Sequence, residues 1–211
     1  MTGVKICGVN SAAAFDAVCD AGADWLGFVF FARSPRFVSP AQAAALSARR
    51  AGGPARVGLF VAATHEEIVA ALAALPLDVL QLYDTPLRVA EIARRFGMPV
   101  WRAVPVSGAA DLPASCAPAA AALIEPRARV DASRPGGNAQ LLDWSVLGGW
   151  RPDFPWLLAG GLTPDNVAAA IAATGAPAVD VSSGVETAPG VKSVNLIARF
   201  VAAARAAKRV V

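Results

Sequence analysis

The sequence predicts an α/β fold, a closed (β/α)8 TIM barrel, and three observations predict it. Eight short apolar runs alternate with longer, alanine-rich segments of helical character. That alternation specifies a parallel sheet with right-handed crossovers, and eight such units close into a barrel. The chain has 211 residues, 55% apolar and only 17% charged, which suits a single domain spanning 1–211 with a sizeable core. The structural rival, a doubly wound sheet, usually carries G-x-G-x-x-G after its first strand, and Ile6-Cys7-Gly8-Val9-Asn10 lacks it.

The strands expected in order are Val4–Cys7, Trp25–Phe30, Arg56–Val61, Val79–Leu82, Val100–Val104, Ala121–Glu125, Trp156–Ala159 and Ala178–Val181. The helical segments are Ser11–Ala21, Pro40–Arg50, Thr64–Leu75, Pro86–Phe96, a weak one near Ala109–Ala117, a short one near Trp144–Leu147, Pro164–Ala173 and Val194–Lys208. Ser39-Pro40, Thr85-Pro86 and Thr163-Pro164 each put a cap before a proline at the first helical position. Thr64 with Glu67 reads as a capping box, and Gly97 and Gly175 stand where helices should end. The longest irregular stretch is Pro126–Leu142, with Arg127, Arg129, Arg134 and the Pro135-Gly136-Gly137 turn; a loop that long in a compact barrel is usually functional.

Composition excludes several classes. The longest apolar stretches, such as Ala117–Ile124, fall short of the roughly 20 residues a membrane helix needs. Met1-Thr2-Gly3-Val4-Lys5 carries no charged segment followed by an apolar one, so no signal peptide is expected and a cytoplasmic protein is the simple reading. Three widely spaced cysteines, Cys7, Cys19 and Cys116, argue against a disulfide framework or a metal site. Cys19 and Cys116 fall in helical segments and read as packing. The formal charge of +3 is scattered, with no basic stripe for nucleic acid, but it suits a small anionic substrate.

In a barrel the site lies at the C-terminal strand ends. That rule selects Cys7, the Ser34-Pro35-Arg36 loop, Glu125, Gly160-Gly161 and Asp180-Val181-Ser182-Ser183-Gly184. Strand residues two apart face the same way, so Lys5 and Cys7 point inward together, and an ammonium beside a thiol lowers its pKa. The Gly160-Gly161 loop with Ser182, Ser183 and Gly184 has the make-up of a phosphate site built from backbone N–H groups, aided by a helix N-terminus.

Four segments carry a family resemblance: Lys5-Ile6-Cys7-Gly8; Gly27-Phe28-Val29-Phe30 with Ser34-Pro35-Arg36; Leu158-Ala159-Gly160-Gly161-Leu162-Thr163-Pro164-Asp165-Asn166-Val167; and Val179-Asp180-Val181-Ser182-Ser183-Gly184-Val185-Glu186. In register on eight βα units, from Val4 to about Phe200, they resemble phosphoribosylanthranilate isomerase of tryptophan biosynthesis. The resemblance implies an Amadori rearrangement of a phosphorylated small-molecule substrate without a cofactor. It makes Cys7 the general base at C2′ of the ring-opened sugar imine and Arg36 the contact for the anthranilate carboxylate, which a planar guanidinium matches in bidentate fashion. It places Asp180 at a ribose hydroxyl or in a supporting role, both left open.

Some positions depart from the family pattern. Its general acid, an aspartate at the end of strand six, aligns with Glu125, longer by one methylene; Asp131 in the following loop is the alternative acid. Strand four reads Leu80-Gln81-Leu82-Tyr83-Asp84, with tyrosine in place of the usual histidine; Gln81 and Tyr83 face inward, and Gln81 counts as a substrate contact. Ala139 replaces a common glycine after Gly137-Asn138. His65, the only histidine, reads as a surface residue at a helix start. The second reading these departures admit is a divergent barrel acting on another phosphorylated amino-sugar or aromatic amine. The third, a silent scaffold, leaves the base Cys7 without purpose. Alanine-rich helix faces admit a monomer or a homodimer.

Overall fold

The computed structural model describes residues 1–129, 131, 135–137 and 140–208. Arg134, Asn138 and Ala139 lie outside them. Strands β1 (Gly3–Cys7), β2 (Trp25–Val29), β3 (Ala55–Val61), β4 (Val79–Tyr83), β5 (Val100–Val106), β6 (Ala121–Pro126), β7 (Trp156–Leu158) and β8 (Ala178–Val181) form a closed parallel barrel in chain order. It closes where Lys5 of β1 pairs with Asp180 of β8. Around it run α1 (Ala12–Asp20), α2 (Pro40–Ser47), α3 (His65–Ala74), α4 (Pro86–Phe96), α5 (Val167–Thr174) and α6 (Val194–Ala206). A two-stranded hairpin, β9 (Glu186–Ala188) and β10 (Val191–Lys192), follows β8.

Most start and stop signals act as read. Ser39 and Thr64 close reciprocal capping boxes with Gln42 and Glu67, and the Thr85 side chain accepts from Arg88 N. Gly97 and Gly175 end α4 and α5 in the left-handed region at φ 62° and 69°.

Three expectations are corrected. The segment near Ala109–Ala117 is only a 3-10 turn, Ala109–Asp111. Asp111 Oδ2 takes the Ser107 N–H at 2.7 Å, and Pro113 and Pro118 supply no donor to extend the turn. Cys116 is therefore not helical; it is buried, and its thiol donates to the Ala119 carbonyl. Helix α5 starts at Val167 rather than Pro164, because Asn166 Oδ1 accepts from Thr163 N at 2.7 Å and Asn166 Nδ2 donates to the Gly161 carbonyl. Those bonds fold residues 163–166 into a tight turn. The short helical element expected at Trp144–Leu147 is present with those bounds, as a 3-10 helix.

Strand alternation divides the core. Outward residues such as Ile6, Leu26, Phe60, Leu80 and Leu82 pack beneath Phe15, Ile68, Ile92 and Phe200 of the helices. Each fully buried side chain of that size contributes about 1.5–3 kcal/mol. Inward residues Val57, Val79, Trp101, Leu123 and Leu157 fill the lower barrel, and Cys7, Val29 and Leu59 lie above them. The filled lower barrel leaves the C-terminal mouth as the place for chemistry. At the opposite end a cleft lined by Trp25, Trp101, Trp150 and Trp156 carries no thiol and no buried carboxyl. Among the described residues no helix is long and apolar enough to cross a membrane.

Candidate active site

Cys7, Arg36, Tyr83, Glu125, Asp180, Gly160, Gly161 and Ser182–Gly184 line one pocket at the strand ends, about 800 Å³ of open space including its mouth. Cys7 ends β1 and is 4% exposed. Below it Lys5 is fully buried and donates to Asp180 Oδ1 at 2.8 Å. A Cβ on Gly27 of β2 would sit 3.1 Å from both Cys7 Sγ and Lys5 Nζ, so the missing side chain leaves room for the thiol and ammonium beside one another.

The electrostatics correct one expectation. Burial pushes the Cys7 thiol above its ordinary value; Lys5 pulls it down without cancelling that rise, and the Asp180 charge adds to it. Burial also opposes the Lys5 charge, but Asp180 and Cys7 outweigh it and hold its pKa up. Lys5, next to the Cys7 thiol, and Gln81, expected as a substrate contact, are not among the residues that line the pocket. Gln81 sits two residues below Tyr83 on β4, roughly 7 Å deeper in the barrel. It is fully buried, and its amide finds no hydrogen-bond partner among the described residues.

Glu125, at the end of β6, is 5% exposed, and burial raises its pKa to about 8. The Tyr83 hydroxyl donates to its Oε2 at 3.1 Å, which works in the opposite direction. The loop after β6 closes over this pair: a Cβ on Gly136 would lie 2.5 Å from the Tyr83 oxygen and 2.9 Å from Glu125 Oε2. Asp131 stands apart, with a side chain 75% exposed and paired with Arg129. His65 sits at the start of α3 between Arg88 and Glu91, away from the pocket.

Arg36 is 3% exposed, not a solvated loop charge. Its Nε and Nη2 donate to Oε1 and Oε2 of Glu186 at 2.7 and 2.8 Å, so this edge of the fork is taken from within the protein. Nη1 lies against the loop after β6, 2.6 Å from where a Gly137 Cβ would be. Lys192 Nζ reaches the same carboxylate at 2.8 Å and also donates to the Ser182 carbonyl at 3.0 Å. Burial raises the Glu186 pKa, but Arg36 and Lys192 reverse this and hold it low.

Across the pocket, Gly160 has φ +92° and lies against Pro126, where a Cβ would fall 2.0 Å from the proline ring. Only glycine fits that conformation and approach. A Cβ on Gly184 would overlap the Leu162 carbonyl at 1.7 Å. The backbone N–H groups of Gly160, Gly161, Ser183 and Gly184 donate to no backbone carbonyl among the described residues. The N-terminus expected to assist them does not come from α5, whose first residue is outside the pocket lining; the 3-10 turn Ser183–Val185 stands there instead. The Ser182 hydroxyl donates to the Cys7 carbonyl at 3.1 Å, tying this side of the pocket to β1.

Residues 4–203 match the family model described as N-(5'phosphoribosyl)anthranilate (PRA) isomerase. The chain belongs to the phosphoribosylanthranilate isomerase family. The N-(5'-phosphoribosyl)anthranilate isomerase of Acidiphilium cryptum is 54% identical over 207 residues, covering 98% of this chain and 100% of that one. The enzyme of Granulibacter bethesdensis is 51% identical over 203 residues, covering 96% and 97%. Among solved structures, a phosphoribosyl anthranilate isomerase in complex with reduced 1-(o-carboxyphenylamino)-1-deoxyribulose 5-phosphate superposes with TM-score 0.83 at 32% identity, covering 97% of this chain and 99% of that one. TrpF from Jonesia denitrificans gives TM-score 0.83 at 35% identity, covering 97% of each chain. Both sequence relatives and the complexed structure carry the isomerase name, and none favours a different substrate.

Within a phosphoribosylanthranilate isomerase barrel, the two departures at Tyr83 and Glu125 meet in one hydrogen bond. In the sequence 42 residues divide them, and no spacing along the chain joins them. Nor does the sequence mark Lys192 or give Glu186 a role. The Pro189-Gly190 pair between two short extended runs was the available signal of a hairpin, although nothing in it said that the hairpin would turn its charges inward.

Proposed function

We propose that this chain converts N-(5'-phosphoribosyl)anthranilate to 1-(2-carboxyphenylamino)-1-deoxyribulose 5-phosphate as one barrel domain, with Glu125 as general acid and Cys7 as general base. Glu125 gives its proton to the furanose oxygen as the bond from that oxygen to C1′ breaks, leaving a ring-opened iminium ion. The Cys7 thiolate then takes the proton from C2′; the C2′–H pair becomes the C1′=C2′ bond as the C=N pair returns to nitrogen, which gives an enolamine. Loss of the proton from the C2′ hydroxyl and protonation at C1′ complete the ketone. C2′ is oxidised as C1′ is reduced within one molecule, so the atoms and electrons balance without a redox partner.

The observation that carries this reading is the pairing, in one pocket, of a buried thiol next to Lys5 with a buried carboxyl of pKa about 8. That carboxyl still holds its proton at neutral pH, as an acid catalyst must. The glycine loops after β7 and β8 supply N–H groups for the phosphate. Arg36 takes the anthranilate carboxylate, and Asp180 holds Lys5 beneath the sulfur. The test is turnover of Cys7→Ser and Glu125→Gln, each expected to fall about 100- to 10,000-fold, with rescue of a tryptophan auxotroph lacking this isomerase by the unaltered chain. Near-normal turnover in Glu125→Gln would remove that residue as the acid.

A further inference from the structure

We propose that Glu186 is a positioning residue for substrate recognition: it orients the Arg36 guanidinium toward the substrate carboxylate, while Lys192 links that same Glu186 carboxylate to the phosphate loop at Ser182. This rests on the reading of Arg36 as the carboxylate contact. Both oxygens of Glu186 hold the Nε–Nη2 edge of Arg36, which fixes the plane of the guanidinium and directs Nη1 toward the loop that roofs the pocket. The side chains of Arg36 and Glu186 are each 4% exposed and that of Lys192 is 0% exposed. Burying such charges gives little net stability, so the arrangement is better explained by the geometry it imposes. Two cations share one carboxylate, leaving a net positive charge beside a pocket for an anion. The backbone fixes the same geometry. Gly190, at the tip of the β9–β10 hairpin, packs so closely on the Pro35 carbonyl that a Cβ would lie 2.4 Å from it, and Asn10 Nδ2 donates to the Gly190 carbonyl. The hairpin bearing Glu186 and Lys192 is thus docked on the loop bearing Arg36.

The experiment compares two inhibitors, the reduced product analogue with its benzoate carboxyl and the same molecule with a plain phenyl ring. Arg36→Met should abolish the preference for the carboxylated inhibitor. Glu186→Gln should weaken the carboxylated inhibitor about 10- to 100-fold and leave the phenyl one nearly unchanged, with KM for substrate raised more than kcat is lowered. Glu186→Asp should recover part of the preference, and Glu186→Gln combined with Arg36→Met should be no worse than Arg36→Met alone. A folded Glu186→Gln protein that keeps the preference, or loses affinity for both inhibitors equally, overturns the proposal. If Arg36→Met keeps the preference, the reading of Arg36 falls first, and the role of Glu186 with it.

Discussion

The Tyr83 hydroxyl donates to Glu125 Oε2 at 3.1 Å, joining the ends of β4 and β6 in a buried pair. The bond occupies one carboxyl oxygen and leaves the other to carry the proton. It also favours the ionised carboxyl against the effect of burial. Tyr83→Phe therefore leaves Glu125 holding its proton to higher pH. The productive state needs one proton on the Cys7–Glu125 pair, so activity of the unaltered protein should rise with pH toward about 8 and fall again when the raised Cys7 thiol ionises too. In Tyr83→Phe the rising limb of kcat/KM should move to higher pH, while activity at neutral pH, where Glu125 already holds its proton, should change little. A pH–rate profile reads both; an unmoved limb would dissociate Tyr83 from the acid.

Glu125 also makes stability pH-dependent. Its folded-state pKa of about 8 stands above the ordinary 4.5, so the folded protein keeps a proton that the unfolded chain has already lost. Stability is complete below the ordinary value and falls as pH rises through the folded one, by at most about 5 kcal/mol. Denaturant titrations between those limits should show this slope, and Glu125→Gln, which has no proton to lose, should flatten it.

Lys5 lowers the Cys7 pKa within a site whose burial raises it. Lys5→Met should thus shift alkylation of Cys7 by iodoacetamide to higher pH. The variant should also lose roughly 3–5 kcal/mol of stability, because Asp180 is left buried without its 2.8 Å partner. An unchanged alkylation profile would separate Lys5 from the thiol.

Gly136→Ala places a methyl 2.5 Å from the Tyr83 hydroxyl oxygen and 2.9 Å from Glu125 Oε2. The Tyr83–Glu125 pair must move, and a displacement of about 1 Å at a reacting group can lower the rate on the order of 100-fold. The position is in a loop, so the melting temperature should change little. Thermal melts beside turnover measurements check both.

Gly184→Ala forces the β8 loop away from the Leu162 carbonyl, which a new Cβ would approach to 1.7 Å. The loss should fall on phosphate recognition, and inhibition by inorganic phosphate should weaken along with a raised KM. Retained phosphate inhibition would place the phosphate elsewhere.

What the sequence by itself determined was local or periodic. Ser39, Thr64 and Thr85 cap helices through neighbours three residues away, and glycine ends helices wherever φ must turn positive. The two-residue period of a strand puts Cys7, Tyr83 and Glu125 on inward faces, and the barrel rule brings them to one mouth. Asn166 overrode Pro164 as the boundary of α5 because a side-chain amide bridging two backbone groups outweighs the proline signal. The tertiary structure alone decided how the charges pair and how far burial opposes them. Arg36 and Glu186 stand 150 residues apart, and only the closed barrel with its docked hairpin brings one fork onto the other. Cys7 beside Lys5 reads as an activated thiol in sequence, yet its raised pKa follows from desolvation, which depends on everything packed around the sulfur and on no spacing along the chain.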